Sequence, residues 1–387
     1  MSQQEFTMRA VLIKGDQGSA EHLYIGTAPR PTARTGEVLV KIKAFGLNRM
    51  DISQREGKYP PPAGASTILG VEFSGTITEL GPNTDGYRSS WRVGDEVLGL
   101  AGGGAYAEYI AVKQTHIIRK PSHLSWAEAA SIPEVFLTAF QALVVIGQIK
   151  ENDNVLVHAG ASGVGVAAIQ LARVYGAHNV IATTSTQEKI DWLLGLPNGA
   201  THGANYKTQD FAAVVKDVTQ NKGVDVVIDF VGQSHFTKNI DALAVDGRMT
   251  MLALLSGTVV ESVNLAPILY KRLHIEGSTL RSRSLAYQTE LIDRFRREVF
   301  SKITGEDGNG PIRTYIYKVY PWTEISAAHI EMEANKNSTT RSYPNNTTNT
   351  TSTTMSGQSN GSTKGSGNGT SNGGVKGGAS STGAVFF

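Results

Sequence analysis

The spacing with the clearest chemical meaning is His158-Ala159-Gly160-Ala161-Ser162-Gly163-Val164-Gly165. It follows an apolar run beginning at Asn154 and opens a helical pattern, so it reads as a strand–turn–helix junction built to hold a dinucleotide. Gly160 is expected to permit the tight turn. Small Ser162 and Gly163 let the backbone approach a pyrophosphate, and Gly165 lets helix and strand pack closely. With Val164 these residues form the expected phosphate-binding set, facing the free N–H groups of a helix N-terminus. Ser162 stands where a second glycine is usual, and its hydroxyl can itself donate to phosphate. The bland alternative is a glycine-rich turn that binds nothing.

The next strand end bears on which nucleotide. A site for NADH places an acid about 20 residues on, where it grips the ribose 2′-hydroxyl. Here Val180-Ile-Ala-Thr-Thr184-Ser185-Thr186-Gln-Glu-Lys189 ends in hydroxyls, and the first acid, Glu188, lies inside the following helix. A carboxylate would repel a 2′-phosphate, whereas Thr184, Ser185 and Lys189 can bind one. NADPH is the expected cofactor. Glu188 and Lys189 also fit a solvated helix face.

The elements around these residues divide the chain. Up to about residue 125, short β-like runs (Val38–Ala44, Gly75–Glu79, Glu96–Leu100, Tyr106–Val112) are punctuated by Gly, Pro and Asp, which predicts an antiparallel, barrel-like domain. A helical stretch from Trp126 to Ile146 follows. Strands at Asn154–Ala159, Val180–Thr184, Val224–Phe230, Arg248–Leu254 and His274–Thr279 then alternate with helical intervals, the signature of a doubly wound parallel sheet. The fold class is therefore α/β with a second, β-rich domain. Two further helices are expected at Ala286–Phe300 and Glu324–Ala334. From Ser338 the chain is Ser/Thr/Asn/Gly-rich and cannot bury enough apolar area to offset ordering, so a disordered tail is expected over 338–387.

Composition narrows the function classes. Of 387 residues, 36 are Lys or Arg and 34 Asp or Glu. The tail holds Arg341, Lys364 and Lys376 and no acid, so the +2 total leaves about −1 for residues 1–337. A nucleic-acid or anionic-membrane partner is not expected of such a balance. There are no cysteines, hence no disulfides, thiolate nucleophiles or Cys-ligated metal. The N-terminus lacks a signal or presequence pattern, and no apolar stretch reaches bilayer length, so a cytoplasmic protein is expected. Nine histidines are scattered without metal spacing, and His158 reads as a buried strand residue.

Several ordered motifs resemble the medium-chain dehydrogenase/reductase superfamily, particularly its quinone oxidoreductase branch. They are Gly46-Leu47-Asn48-Arg49-Met50-Asp51, Gly70-Val71-Glu72-Phe73-Ser74-Gly75, Val93-Gly94-Asp95-Glu96-Val97, Gly102-Gly103-Gly104-Ala105-Tyr106-Ala107-Glu108-Tyr109, Ile132-Pro133-Glu134-Val135-Phe136-Leu137-Thr138-Ala139, the glycine turn, and His329 with Met332 to Asn337. The resemblance implies a GroES-like catalytic domain from residues 1–131 and 277–337, a Rossmann domain from 132–276, and a cofactor in the cleft between. Zinc-dependent relatives put a Cys where Asn48 stands and a His where Val71 stands, so no metal is expected here. Without one, the acceptor must take hydride readily, as quinones and enones do.

By the same resemblance Asn48 is expected to bind an acceptor oxygen or the nicotinamide end, and Tyr59 to lean over the pocket as a proton donor. The alternatives are a turn-forming Asn48 and a packing Tyr59. Asp51 reads as a helix cap or a partner of Arg49. Thr138 is placed to approach the nicotinamide and Tyr206 to flank the adenine or touch the 2′-phosphate. Leu254, Ser256 and Leu280 lie in loops at the ligand end of the sheet, and Asn337, in the last motif, joins the cofactor-binding set. The glycines 102–104 read as a turn. A homodimer is implied by the family habit of pairing Rossmann sheet edges.

Two rivals share these residues. An enoyl-thioester reductase would use Asn48, Asp51 and Tyr59 at this spacing, and a non-catalytic NADPH-binding protein of lens-crystallin type would need only the nucleotide turn. The tail departs from the family: where relatives continue from Asn337 with Gly-Lys and an apolar strand, this chain enters low complexity. Either a distant segment such as Ala384–Phe387 substitutes, or the domain is weakened, or the gene is read differently.

Overall fold

Sheet order follows from which runs are apolar on one face and which on both. The computed structural model describes residues 6–82, 89–303, 305, 308–335 and the backbone of Gly383–Phe386. These belong to one compact unit of residues 1–339 and 381–387. The β-rich part contains β1 (Thr7–Ile13), β2 (Leu23–Pro29), β3 (Glu37–Leu47), α1 (Arg49–Arg55), β4 (Glu72–Leu80), β5 (Glu96–Leu100), β6 (Tyr109–Lys113) and β7 (Ile117–Arg119). The helices α2 (Trp126–Ala130) and α3 (Pro133–Phe140) lead out of it. The single predicted helix over 126–146 is interrupted because Pro133 starts a new one, and α3 continues as a π-type coil over Gln141–Ile146.

The parallel part alternates β8 (Asn154–Val157), α4 (Gly163–Val174), β9 (Asn179–Thr184), α5 (Gln187–Gly195), β10 (His202–Asn205), α6 (Phe211–Val218), β11 (Val224–Asp229), α7 (Gln233–Ala242), β12 (Leu243–Met251), α8 (Ala266–Tyr270) and β13 (His274–Gly277). Its order, β10-β9-β8-β11-β12-β13, is that of a Rossmann sheet. Val155, Leu156 and Val157 are fully buried, as a strand covered by helices on both faces requires. The chain ends with α9 (Leu285–Glu298), β14 (Lys318–Pro321), α10 (Ile325–Glu333) and β15 (Gly383–Phe386).

β15 resolves the question posed by the tail. It runs parallel to β3, Gly383 opposite Ala44 and Phe386 opposite Leu47, and antiparallel to β14. β6 pairs β3 only over Glu37–Lys41. The four residues of β15 cover the rest of that edge, whose backbone groups would otherwise lack ladder partners. The expected tail of 338–387 is thus corrected at its end, where a segment distant in sequence supplies the family's closing strand. Residues 340–382 and Asn337 lie outside the described residues.

Candidate active site

The glycine turn forms as its sequence dictates, with one role reassigned. Ala159, not Gly160, adopts the left-handed conformation (φ 46°). Gly160 is needed for space instead, since a Cβ there would lie 2.8 Å from that of Ala182. At Gly165 a Cβ would approach the carbonyl oxygens of Ala159 and Gly160 at 2.5 and 2.8 Å, so the first turn of α4 admits only glycine at this position. Ser162 caps that helix, its Oγ accepting from the Gly165 N–H at 3.1 Å, which leaves the hydroxyl proton free to donate. The cradle fits a pyrophosphate.

At the end of β9, Thr184 is buried and its hydroxyl donates to the Thr186 carbonyl at 2.9 Å, so its proton is already committed. Ser185 and the half-buried Lys189 carry the open donors there. Burial, then the neighbouring Lys207 and Arg49 cations, push the Lys189 ammonium below its usual range. Three cations thus gather beyond the end of β9. Arg49 does not pair with Asp51. It donates to the Met332 carbonyl at 2.9 Å and to Asn335, tying α1 to the end of α10. Tyr206 is exposed and meets the ring of His235 edge-on at 5.6 Å. Ser256 donates to the Val231 carbonyl at 2.8 Å and accepts from Ser234 N–H, which fixes the loop carrying exposed Leu254. Leu280 is buried. A polar depression of about 360 Å³ lined by Lys150, Asp225 and His274 lies at the opposite ends of these strands, away from the turn.

On the β-rich side, β3 delivers Asn48 to the N-terminus of α1. Asn48 Nδ2 donates to Glu72 Oε1 at 2.7 Å, and Glu72 Oε2 accepts from the Glu134 N–H at 2.8 Å. Asp51 accepts from Asn48 N–H (2.8 Å), Gly70 N–H (3.2 Å) and the Tyr106 hydroxyl (3.1 Å), which is the capping role read from sequence. His329 Nδ1 accepts from Arg55 Nη1 at 3.1 Å, since arginine can only donate, so Nε2 carries the proton toward Tyr106 at 3.3 Å. Burial and the adjacent Arg55 cation hold His329 neutral, down at about 3.

Burial dominates the carboxyl groups here. It pushes Asp51 up to about 6 and Glu134 up to about 7, the latter helped by the Asp51 charge, and raises Glu72 well above the carboxylate range. Thr138 donates to Glu134 Oε1 at 3.4 Å. Tyr59 is half-buried in the loop after α1, and no hydrogen bond restrains its hydroxyl among the described residues. The Arg281 guanidinium lies 5.6 Å from its ring centroid. The Gly102–Gly104 turn carries more than a reversal of direction, because the Gly102 carbonyl accepts from Arg281 Nε at 2.8 Å.

The residues around Asn48 do not fit a metal. Val71 is apolar and buried, Asn48 and Glu72 satisfy each other, and no group of three His, Cys, Asp or Glu side chains converges as ligands among the described residues. Sequence reading passed over Arg49, Lys207, Glu72, Glu134 and Arg281 as site residues. Glu72 and Glu134 stood inside quoted motifs, and a charge buried in an apolar run was the available signal.

A GroES-like antiparallel sheet beside a nucleotide-binding Rossmann sheet defines a two-part oxidoreductase. Residues 34–122 match the alcohol dehydrogenase GroES-like domain and residues 163–297 the zinc-binding dehydrogenase family. A mycobacterial quinone oxidoreductase of known structure is 30% identical, with a TM-score of 0.71 over 85% of this chain and 97% of that one. The Escherichia coli quinone oxidoreductase complexed with NADPH is 28% identical (TM-score 0.72, 84% and 96%), and the CurK enoyl reductase 28% (0.73, 85% and 97%). The chain belongs to the medium-chain dehydrogenase/reductase superfamily. It is 29% identical to the synaptic vesicle membrane protein VAT-1 homolog of Danio rerio, covering 86% of this chain and 69% of the relative. It is 36% identical to the polyketide synthase Pks15/1 of Mycobacterium marinum over 61% of its own length, spanning only 11% of that protein. No helix among the described residues is long and apolar enough to cross a membrane.

Proposed function

We propose that this chain is a zinc-independent, NADPH-dependent reductase that transfers hydride to a quinone or a similarly activated carbonyl acceptor. The observation that carries the reading is the Asn48–Glu72 pair at the position where zinc-dependent relatives bind metal. With no Lewis acid to polarise a carbonyl, the acceptor must itself be electrophilic. When bound, the reduced nicotinamide supplies the hydride. The protein's part is to seat the pyrophosphate on Gly160, Ser162, Gly163, Val164 and Gly165, to hold the 2′-phosphate with Ser185, Lys189 and Tyr206, and to exclude water from the cleft. Lys207 and Arg49 add charge for NADPH over NADH.

Stopped-flow NADPH oxidation against quinones, enones and enoyl thioesters tests the reading. Rapid turnover of quinones supports it, and turnover of enoyl thioesters alone gives the site to the second reading. That second reading, an enoyl-thioester reductase, is favoured by the Tyr59 hydroxyl, which has no hydrogen-bond partner among the described residues and lies within electrostatic reach of Arg281 and Glu134; Tyr59→Phe would then lower the rate of enoyl reduction and leave quinone reduction unchanged. Lys189→Ala is expected to weaken NADPH by about tenfold and NADH by less than twofold; equal losses would remove the 2′-phosphate assignment. We place the enzyme in the cytoplasm as a homodimer. Leu265, just before α8, and Leu269 and Tyr270 within it are exposed in the segment leading into the edge strand β13 and offer a second copy an apolar surface; sedimentation at micromolar concentration tests this.

A further inference from the structure

Arg281 is only 5% exposed, yet Nη1 and Nη2 have no hydrogen-bond partner. Its one bond is from Nε to the Gly102 carbonyl at 2.8 Å, and it makes no ion pair among the described residues. A guanidinium carries five N–H donors and never loses its charge in a protein. Burying four of those hydrogens unpaired is costly, so the arrangement has meaning if a ligand completes it. The neighbours are specific. Tyr59 lies beneath the guanidinium, a Cβ at Gly103 would come within 3.3 Å of Nη2, and the carboxyls of Asp51 and Glu134 lie within electrostatic reach but not in contact. Both acids act on the cation through space alone, so neither occupies its Nη donors. The open donors therefore stand among the residues of the acceptor side, apart from the glycine turn and the Lys189 group that serve the phosphates.

We infer that the paired Nη groups of Arg281 receive the oxygen of the acceptor and stabilise the negative charge it gains during reduction, which makes Arg281 a catalytic residue and the substrate class carbonyl-terminated. The inference rests on the reductase reading above. In the step, the acceptor carbon takes a hydride from the reduced cofactor, which leaves oxidised as NADP⁺. The acceptor's π pair moves onto oxygen, and that oxygen then takes a proton from solvent. A donor fork already in place pays no reorganisation as the charge develops. A planar fork also suits a carbonyl oxygen better than a point charge would.

The test uses NADP⁺-loaded enzyme and 4-nitrophenol, whose coloured phenolate resembles the reduced acceptor's oxyanion. Bound to the wild type, the phenol is expected to ionise about one to three pH units lower than in water. In Arg281→Gln this displacement should vanish, and Arg281→Lys should restore part of it. Quinone turnover should fall about a hundredfold in Arg281→Gln, with NADPH affinity within twofold and melting temperature preserved. Failure of the probe to bind the wild type, ionisation unchanged from water, kcat within threefold in Arg281→Gln, or a loss carried entirely by NADPH affinity would overturn the inference. If the wild type lowers the probe's ionisation through Arg281 yet reduces no acceptor, the oxyanion receptor stands and the reductase reading falls.

Discussion

Two buried clusters, one in each half of the molecule, answer the removal of water in opposite ways. In the β-rich half, Asp51, Glu72 and Glu134 lie within reach of one another, and burial pushes each toward keeping its proton. In the Rossmann half, His158 bonds to Thr183 at 2.9 Å and Asn239 at 2.7 Å, with the ring of His235 4.8 Å away. Burial drives both imidazoles down to about 4. Burial biases each cluster toward its neutral form, because an unpaired charge in a dry interior is expensive. The acids hold their protons to higher pH and the imidazoles shed theirs at lower pH, so over the same acidic-to-neutral range one half loses stability as pH rises and the other as pH falls.

The sharpest way to break the comparison is Asp51→Ala. It strands the Asn48 and Gly70 N–H groups and the Tyr106 hydroxyl in a fully buried site, and should cost about 3 kcal/mol or more in urea unfolding at pH 7. A loss under about 1 kcal/mol would show the network to be dispensable.

Glu134→Gln probes the loss of stability as pH rises. The folded-state value of about 7 lies above the usual 4.5, so the wild type binds more protons folded than unfolded between those limits. Its contribution to stability is full below about 4.5 and lost as pH rises through about 7. The substitution should therefore raise stability by about 2 kcal/mol at pH 8.5 and change little at pH 4.5. Because the carboxyls are coupled, the titration belongs to the group, and pH-dependent melting of wild type and variant measures it. A variant whose pH profile parallels the wild type would remove Glu134 from the cluster.

The smallest effect is expected from His235→Phe, which probes the acid side. His235 stacks on Phe211 at 5.0 Å, and its Nε2 is buried without a partner. Its depressed value means stability present above about 6.5 and lost as pH falls toward about 4. Removing the imidazole should gain about 1 kcal/mol near pH 4.5 and nothing at pH 8. An unchanged acid limb would shift that sensitivity to His158 and His329.

The Rossmann half was legible because its strands are apolar over their whole length and its turn needs glycine at positions that no other residue fits. The edge strand β10, His202-Gly-Ala-Asn205, escaped notice because it has none of the β-branched residues that mark a strand. On the β-rich side, the sequence named Asn48 and Tyr59 through their positions in motifs. It gave Arg281 only as part of the Leu280 loop and Glu134 only as part of a motif, with no role for either, since their meaning comes from burial. Ala159 shows the limit of residue type as a guide: a glycine was expected to turn the chain, and its neighbour does so at φ 46° while the glycine makes room.

The strand β15 carries a consequence for how this architecture tolerates change. It lies against Ala44–Leu47, the last residues before Asn48, so it braces the segment that aims a site residue. The entropy of closing an interval of chain grows only with the logarithm of its length, by about 0.6 kcal/mol per doubling. A long stretch of sequence between residues 335 and 383 therefore burdens the sheet little more than a short one. What the catalytic half must inherit at this edge is a backbone in register, and the distance travelled to reach it is free to drift.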